Sequence, residues 1–167
     1  MPDEIVALVD EQNRVIGSAP RSRMRAERLL HRATYVFVFH PAGELYVQKR
    51  TLTKDVYPGY RDPCAGGVVL AGESYEESAR RELAEELGIR AVALATHGDF
   101  LFEDAESRVW GRIFSCAWGG ALHLQASEVA SVELMPVAQI LREGAAGGFT
   151  PDGLVALRRL PPGAGRP

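Results

Sequence analysis

The chain is short of cysteine, lysine and long apolar runs, and each shortage removes a class of protein. Two cysteines, Cys64 and Cys116, in 167 residues are too few for a disulfide framework and lack the spacing of a zinc site. Such usage is expected of a cytoplasmic protein with reduced thiols. No apolar stretch approaches the roughly 20 residues that a membrane-crossing helix requires. The start, Met1-Pro2-Asp3-Glu4, has neither the basic nor the apolar segment of a signal peptide. Lysine occurs only as Lys49 and Lys54, and 22 acids against 19 bases leave a net charge of −3. A nucleic-acid polymer or an anionic membrane is therefore not an expected partner.

What is present is the balance of a soluble globular domain, 46% hydrophobic and 25% charged, in a chain long enough for one core. No internal repeat is visible. Ile5 to Val9 and Val15-Ile16 flank a polar turn and read as a hairpin. Arg21 to His31 reads as a short basic helix whose arginines form a solvated face, contact with a phosphate being the alternative. Thr34 to His40 and Glu44 to Arg50 read as strands joined at Pro41-Ala42-Gly43. Thr51 to Pro63 is polar, with Pro58-Gly59 as a turn signal. Ala65 to Leu70 reads as a strand led by glycines. Further apolar segments lie near Ala91 to Ala95, Phe100 to Phe102, Val109 to Trp118 and Val129 to Leu134, and short helices near Val137 to Arg142 and Asp152 to Leu160. This mixture predicts an α/β or α+β domain built on a mixed sheet.

The clearest helix opens at Ser74, where Ser74-Tyr75-Glu76-Glu77 is a capping box. Tyr75, Ala79, Leu83 and Leu87 recur at four-residue spacing as a buried stripe, and Gly88 closes the helix as a C′ glycine. Glu76 and Glu77 lie in the first turn, where the helix dipole favours them. Glu82, Glu85 and Glu86 lie in the last turns, where it does not. Glu82 and Glu86 also form a like-charge i,i+4 pair. A divalent cation reverses the sign of this arrangement, and carboxylates without histidine or cysteine suit Mg²⁺ or Mn²⁺. A solvated acidic face partnered by Arg80 and Arg81 is the alternative.

The wider spacing is more specific. Gly67, five residues, Glu73, seven residues, Arg81-Glu82-Leu83-Ala84-Glu85-Glu86-Leu87-Gly88-Ile89 fills every fixed position of the Nudix box, a chance event on the order of one in 10⁹ per starting position. The sequence resembles a Nudix hydrolase. The resemblance implies an α/β/α sandwich with a mixed central sheet over residues 31–160. A small hairpin-and-helix extension over 1–30 would precede it, and a disordered tail over 161–167 would follow. It implies hydrolysis of a diphosphate linkage in a small nucleotide, with Mg²⁺ (or Mn²⁺) held by Glu82, Glu85 and Glu86 and the Gly67 carbonyl as a further ligand. Arg81 would orient Glu73 or Glu85, and the general base would be Glu86 or, outside the box, Glu128. A homodimer is compatible with the family.

A more distant resemblance points to bacterial isopentenyl-diphosphate isomerase, itself of the Nudix fold. It is carried by Leu30-His31 through Gln48-Lys49-Arg50, Pro58-Gly59 and Gly72-Glu73-Ser74. The isomerase's catalytic cysteine falls at Gly66 and a metal-ligand histidine at Val68, while Cys64 comes two residues early. A hydrolase in this branch is the reading these departures favour, with the isomerase, or a nucleotide sensor without turnover, as alternatives. Arg90 to Glu106 has neither the proline of ADP-ribose members nor the tyrosine of diadenosine-polyphosphate members, and no coenzyme A signature precedes the box. Arg50 and Lys54 are the candidates for phosphate contact. Tyr57, Tyr60, Phe102 and Trp110 are the candidates for stacking a base.

Overall fold

The computed structural model describes residues 3–164. The element order is β1 (Ile5–Val9), β2 (Val15–Pro20), α1 (Arg21–Ala26), β3 (His31–Phe39), β4 (Leu45–Arg50), β5 (Arg61–Asp62), α2 (Tyr75–Leu87), β6 (Ala95–Glu103), β7 (Arg108–Ala117), β8 (Val129–Met135), α3 (Val137–Glu143) and α4 (Pro151–Arg159). A 3-10 turn, Gly144–Gly147, joins α3 to α4. No helix among the described residues is long and apolar enough to cross a membrane.

The strands form one mixed sheet. β3 runs parallel to β7 over its whole length, from His31 opposite Val109 to Phe39 opposite Ala117. The other pairings are antiparallel: β6 on β7, β8 on β4, β5 on β4, and the β1–β2 hairpin. The hairpin enters the same sheet through Leu8 opposite His31. β3 and β4 meet only at their connecting turn, Phe39 opposite Leu45, and then diverge. The segment Ala65 to Val69 fills part of the gap, bonding Thr34 N to Gly67 O at 2.9 Å and Val36 N to Ala65 O at 2.7 Å.

Period-two alternation along β3 divides the core. Tyr35, Phe37 and Phe39 point to one face with Ile140, Leu154 and Leu157 of α3 and α4. Val36 and Val38 point to the other with Tyr75, Ala79, Leu83 and Leu87 of α2. The result is the expected helix–sheet–helix layering. Each fully buried large apolar side chain contributes about 1.5–3 kcal/mol, so the α2 stripe alone holds the motif helix firmly on the sheet.

Three expectations are corrected. The helix expected over Arg21 to His31 ends at Ala26, because Arg28 takes a left-handed φ of 53° and Leu29 N closes back onto Met24 O at 2.9 Å. His31 begins β3 instead. Ala65 to Leu70 is not a continuous strand: it makes isolated bridges at Ala65, Val68 and Leu70, interrupted where Gly66 turns to φ 125°. In the terminal segment, Pro161 to Ala164 is placed in a turn and Ala164 O accepts from Ser115 Oγ at 3.3 Å. Gly165 to Pro167, the rest of the expected tail, lie outside the described residues.

Candidate active site

The site is built around α2, whose ends are set by local chemistry. Ser74 Oγ accepts from Glu77 N at 3.1 Å, the Glu77 carboxylate accepts from Ser74 N at 3.1 Å, and Gly88 stops the helix at φ 71°. Arg81 then ties the helix to the preceding loop. Its Nε and Nη2 donate to the two oxygens of Glu73 at 2.6 and 3.0 Å, and Glu73 also accepts from Leu70 N at 3.0 Å. This fork is the bidentate geometry that arginine offers a carboxylate. Burial raises the Glu73 carboxyl, but Arg81 and the Leu70 amide more than offset it and leave it below its ordinary value. Of the two partners expected for Arg81, Glu73 takes the fork. Nη1 also reaches Glu82 at 2.9 Å and Glu85 at 3.2 Å.

Glu82 and Glu86 sit one turn apart against bare backbone. A Cβ on Gly67 would come within 2.8 Å of Glu82 Oε1, and one on Gly66 within 2.2 Å of Thr34 O. Glycine at 67 lets Glu82 approach the loop, and glycine at 66 lets the loop lie against β3. Gly66 N and Gln48 Nε2 each donate to Glu86 Oε2 at 3.3 Å. Glu86 is only 6% exposed. Its carboxyl is pushed well up by burial and then by Glu82 beside it. Glu82 is raised too, by burial, against the opposing charge of Arg81. Lys54 faces Glu86 and lowers it, while its Nζ pairs with Glu128.

Two buried carboxylates forced together, each protonating more readily than usual, form a site that a divalent cation relieves. The donor set, oxygen alone, suits Mg²⁺ or Mn²⁺. Among the described residues no three acid, histidine or cysteine side chains already converge as a metal cage. Glu85, on the same flank, is turned towards Arg81 with 47% of its side chain exposed. The Gly67 carbonyl already accepts from Thr34 N at 2.9 Å and, more weakly, from Thr34 Oγ1 at 3.3 Å.

Beside these acids, in the gap between β3 and β4, lies an open cleft. Arg50, Lys54 and Tyr57, the candidates for substrate contact, line it next to Gly66 and Gly67. Phe102 does not. It packs half-buried against the sheet face that carries α4, opposite Val109 of β7. Tyr60 lies 5.4 Å from Tyr57, ring to ring, and is itself 41% exposed.

Several cleft residues have partners that the sequence does not reveal. Arg21 and Arg25 of α1, expected on a solvated face, turn inward and converge on Asp55, at 2.9 and 3.0 Å. Burial opposes ionisation of Asp55, but the two guanidiniums outweigh it and hold the carboxyl well below its usual range. His31, 2% exposed, is pushed down to about 4, first by burial and then by Arg25. Its Nδ1 lies 2.9 Å from Leu29 O. On the α4 side, Asp152 accepts from Tyr35 Oη at 2.8 Å and is raised to about 6, by burial first and by Asp62 second. Asp62 pairs with Arg50 at 3.2 Å and accepts from Cys64 Sγ. None of these pairings has a local spacing signal. Tyr35 and Asp152 are 117 residues apart.

The geometry agrees with comparison to known proteins. The NUDIX domain family matches residues 29–152. The uncharacterized Nudix hydrolase PA4841 of Pseudomonas aeruginosa is 47% identical over 155 residues, 93% of this chain and 92% of that protein. The uncharacterized Nudix hydrolase YfcD of Escherichia coli K12 is 50% identical over 154 residues, 92% of this chain and 84% of its own. Among solved structures, DR0079 from Deinococcus radiodurans superposes with a TM-score of 0.80 at 26% identity, covering 93% of this chain and 98% of that one. With the complete box folded into one capped helix, its arginine forked onto its first glutamate, the chain belongs to the Nudix hydrolases.

Proposed function

We propose that this Nudix hydrolase is a Mg²⁺-dependent pyrophosphohydrolase of small nucleotides, cleaving the diphosphate linkage of a nucleoside di- or triphosphate or of a nucleoside diphosphate derivative. The observation that carries the reading is the buried Glu82–Glu86 pair at the edge of a cleft lined by Arg21, Arg25, Arg50 and Lys54. Acids that need a cation stand next to bases that suit phosphate oxygens.

The metal would be held by Glu82, Glu85 and Glu86, with the Gly67 carbonyl as a further donor in exchange for its long bond from Thr34 Oγ1. A bound Mg²⁺ (or Mn²⁺) supplies charge neutralisation at the diphosphate oxygens and a lower pKa for bound water. The chain supplies the rest. Arg50 and Lys54 contact phosphate oxygens and place the phosphorus. Glu86 takes the proton of the attacking water or shares that duty as a ligand. Arg81 is a positioning residue: through Glu73 it fixes the helix that carries the acids. Glu128 is tied to Lys54 and serves to orient that lysine, ahead of any role as base. Buried, free Cys64 and Cys116 accord with a cytoplasmic setting.

No observation favours the isomerase. The thiol of Cys64 is pushed up by burial and by Asp62, which opposes a reactive thiolate, and Val68 offers no ligand atom. Product release from a panel of nucleoside di- and triphosphates, nucleotide-sugars and dinucleotides, with Mg²⁺ and with EDTA, tests the proposal. Turnover that requires Mg²⁺ and falls at least about 100-fold in Glu86→Gln supports it. A silent panel, with isopentenyl diphosphate converted or nucleotides bound without turnover, would replace it.

A further inference from the structure

One side of the cleft contains polar atoms that no contact in the structure satisfies. Thr150 caps the start of α4 by position, yet its side chain makes no capping bond. The residue is 1% exposed, and its Oγ1 is buried without a hydrogen-bond partner. Arg50 is in the same condition at one atom. Its two terminal nitrogens are engaged by Asp62 and Val56 O, but Nε is buried and unpaired. Buried polar atoms in a native fold have partners, and a donor or acceptor left unsatisfied costs about 1–3 kcal/mol. Both residues line the cleft, which is where a partner can arrive.

Asp152 stands two residues from Thr150 and also lines the cleft. Its bonds come from neutral donors, Tyr35 Oη and Gly153 N, and among the described residues it forms no ion pair. Asp62, by contrast, is paired with Arg50. The unsatisfied set is thus a carboxylate with spare lone pairs, a hydroxyl and one guanidinium N–H. A metal ion is not the match, because Arg50 lies among these groups and Tyr35 already orients the carboxylate. A phosphate is not the match either, because Asp152 and Asp62 repel it. The complement is a flat, uncharged group with an N–H edge for the carboxylate and an acceptor for the hydroxyl or guanidinium. Tyr57 supplies a wall for such a ring: it lines the cleft, is 9% exposed, and its hydroxyl is anchored to Asp104.

We infer that the α4 side of the cleft, Asp152 and Thr150 with Arg50 Nε, is a recognition site for the amino-bearing edge of a nucleobase, with Tyr57 against the ring. The inference rests on the cleft being a nucleotide site and adds what it selects. Adenine, guanine and cytosine carry an exocyclic amine for Asp152; uracil and hypoxanthine present a carbonyl at the corresponding position, which faces the carboxylate with like polarity. A site with buried hydrogen-bonding groups discriminates strongly against a partner that leaves them unpaired.

The test is equilibrium binding of nucleoside 5′-monophosphates to the full chain in EDTA, so that neither metal nor turnover enters. CMP is compared with UMP, and AMP with IMP. The expected result is at least about tenfold tighter binding of the amino-bearing member of each pair, equivalent to about 1.4 kcal/mol. Asp152→Asn should bring the ratio close to one, with melting temperature checking the fold. Thr150→Val, nearly isosteric, should weaken CMP and AMP about 3- to 10-fold and leave UMP unchanged. Equal binding within each pair by the unmodified protein, or a ratio unaltered in both variants, overturns the inference. If the discrimination is present and no nucleotide is turned over with Mg²⁺, the hydrolase reading fails and the base site stands.

Discussion

The two helices that border the cleft bury carboxylates from opposite faces of the sheet, with different company. On the α2 side Glu86 is packed beside Glu82; Arg81, spread over three acids, reaches Glu82, and Lys54, which faces Glu86, is shared with Glu128. On the α4 side Asp62 has Arg50 and Asp152 has a tyrosine hydroxyl and a backbone amide. The first arrangement crowds acids together more closely than its own bases offset, which is where a cation from outside would fit. The second is balanced in charge and short of hydrogen bonds. Burial of an acid is therefore no indicator of purpose by itself; the partners decide whether the site takes a metal or reads a neutral ligand.

Among the contacts that maintain this contrast, the Arg81 fork carries the largest expected effect. Arg81→Ala releases Glu73 and the positions of Glu82 and Glu85, and a loss of about 10- to 100-fold in turnover is expected, as for other groups that hold metal ligands in place. Arg81→Lys should recover little, because an ammonium cannot make the bidentate contact. Steady-state kinetics across Mg²⁺ concentrations checks this: a positioning role raises the Mg²⁺ requirement, whereas a purely structural one lowers the melting temperature alone.

Next in size are two opposed pH effects. His31 has a folded pKa of about 4 against an ordinary 6.5, so the unfolded chain binds the proton first and stability is lost as pH falls from 6.5 towards 4. Asp152 is raised to about 6 from 3.8, so the folded chain binds its proton first and stability is gained as pH falls from 6 towards 4. Each effect amounts to roughly 3 kcal/mol when complete. Relative to the unmodified protein, Asp152→Asn should lose stability more steeply between pH 7 and 4.5, and His31→Gln less steeply. Urea unfolding at the two pH values measures both, and parallel slopes for all three proteins would contradict the assignment.

Smaller again is Tyr35→Phe, which removes the donor to Asp152 and should cost about 1–2 kcal/mol of stability without altering the Mg²⁺ requirement. Least of all is Glu128→Gln. The glutamine carbonyl can still accept from Lys54, so the lysine keeps its orientation and turnover should stay within about threefold of the unmodified enzyme, a half-exposed pair being worth about 1 kcal/mol or less. A collapse of turnover would move the general base to Glu128.

The α2 side was legible in the sequence because its physics is local. Capping box, four-residue stripe, terminal glycine and misplaced acids all fall within the 23 residues from Gly67 to Ile89, and each appears in the fold where its spacing puts it. The α4 side was not, because its chemistry is assembled from β3, the loop after β4 and the start of α4, none of which carries a recognisable spacing. Asp152 alone reads as a first-turn acid favoured by the helix dipole; only Tyr35 and Thr150 beside it make it more. The helix α1 was misread for a related reason. Its arginines look solvated until the left-handed turn at Arg28 and the pull of Asp55, 30 and 34 residues on, bring them to the cleft. Phe102 failed in the opposite sense: an aromatic candidate for the substrate was claimed by the core.

The central claim is that the buried Glu82–Glu86 pair is completed by a divalent cation. Calorimetric titration of Mn²⁺ into the unmodified protein, Glu82→Gln and Glu86→Gln tests it without any substrate. The account predicts saturable binding that weakens at least about tenfold in each variant, with melting temperatures showing that the fold is retained. Equal affinity in all three proteins would contradict it and leave the pair as two acids buried for another reason.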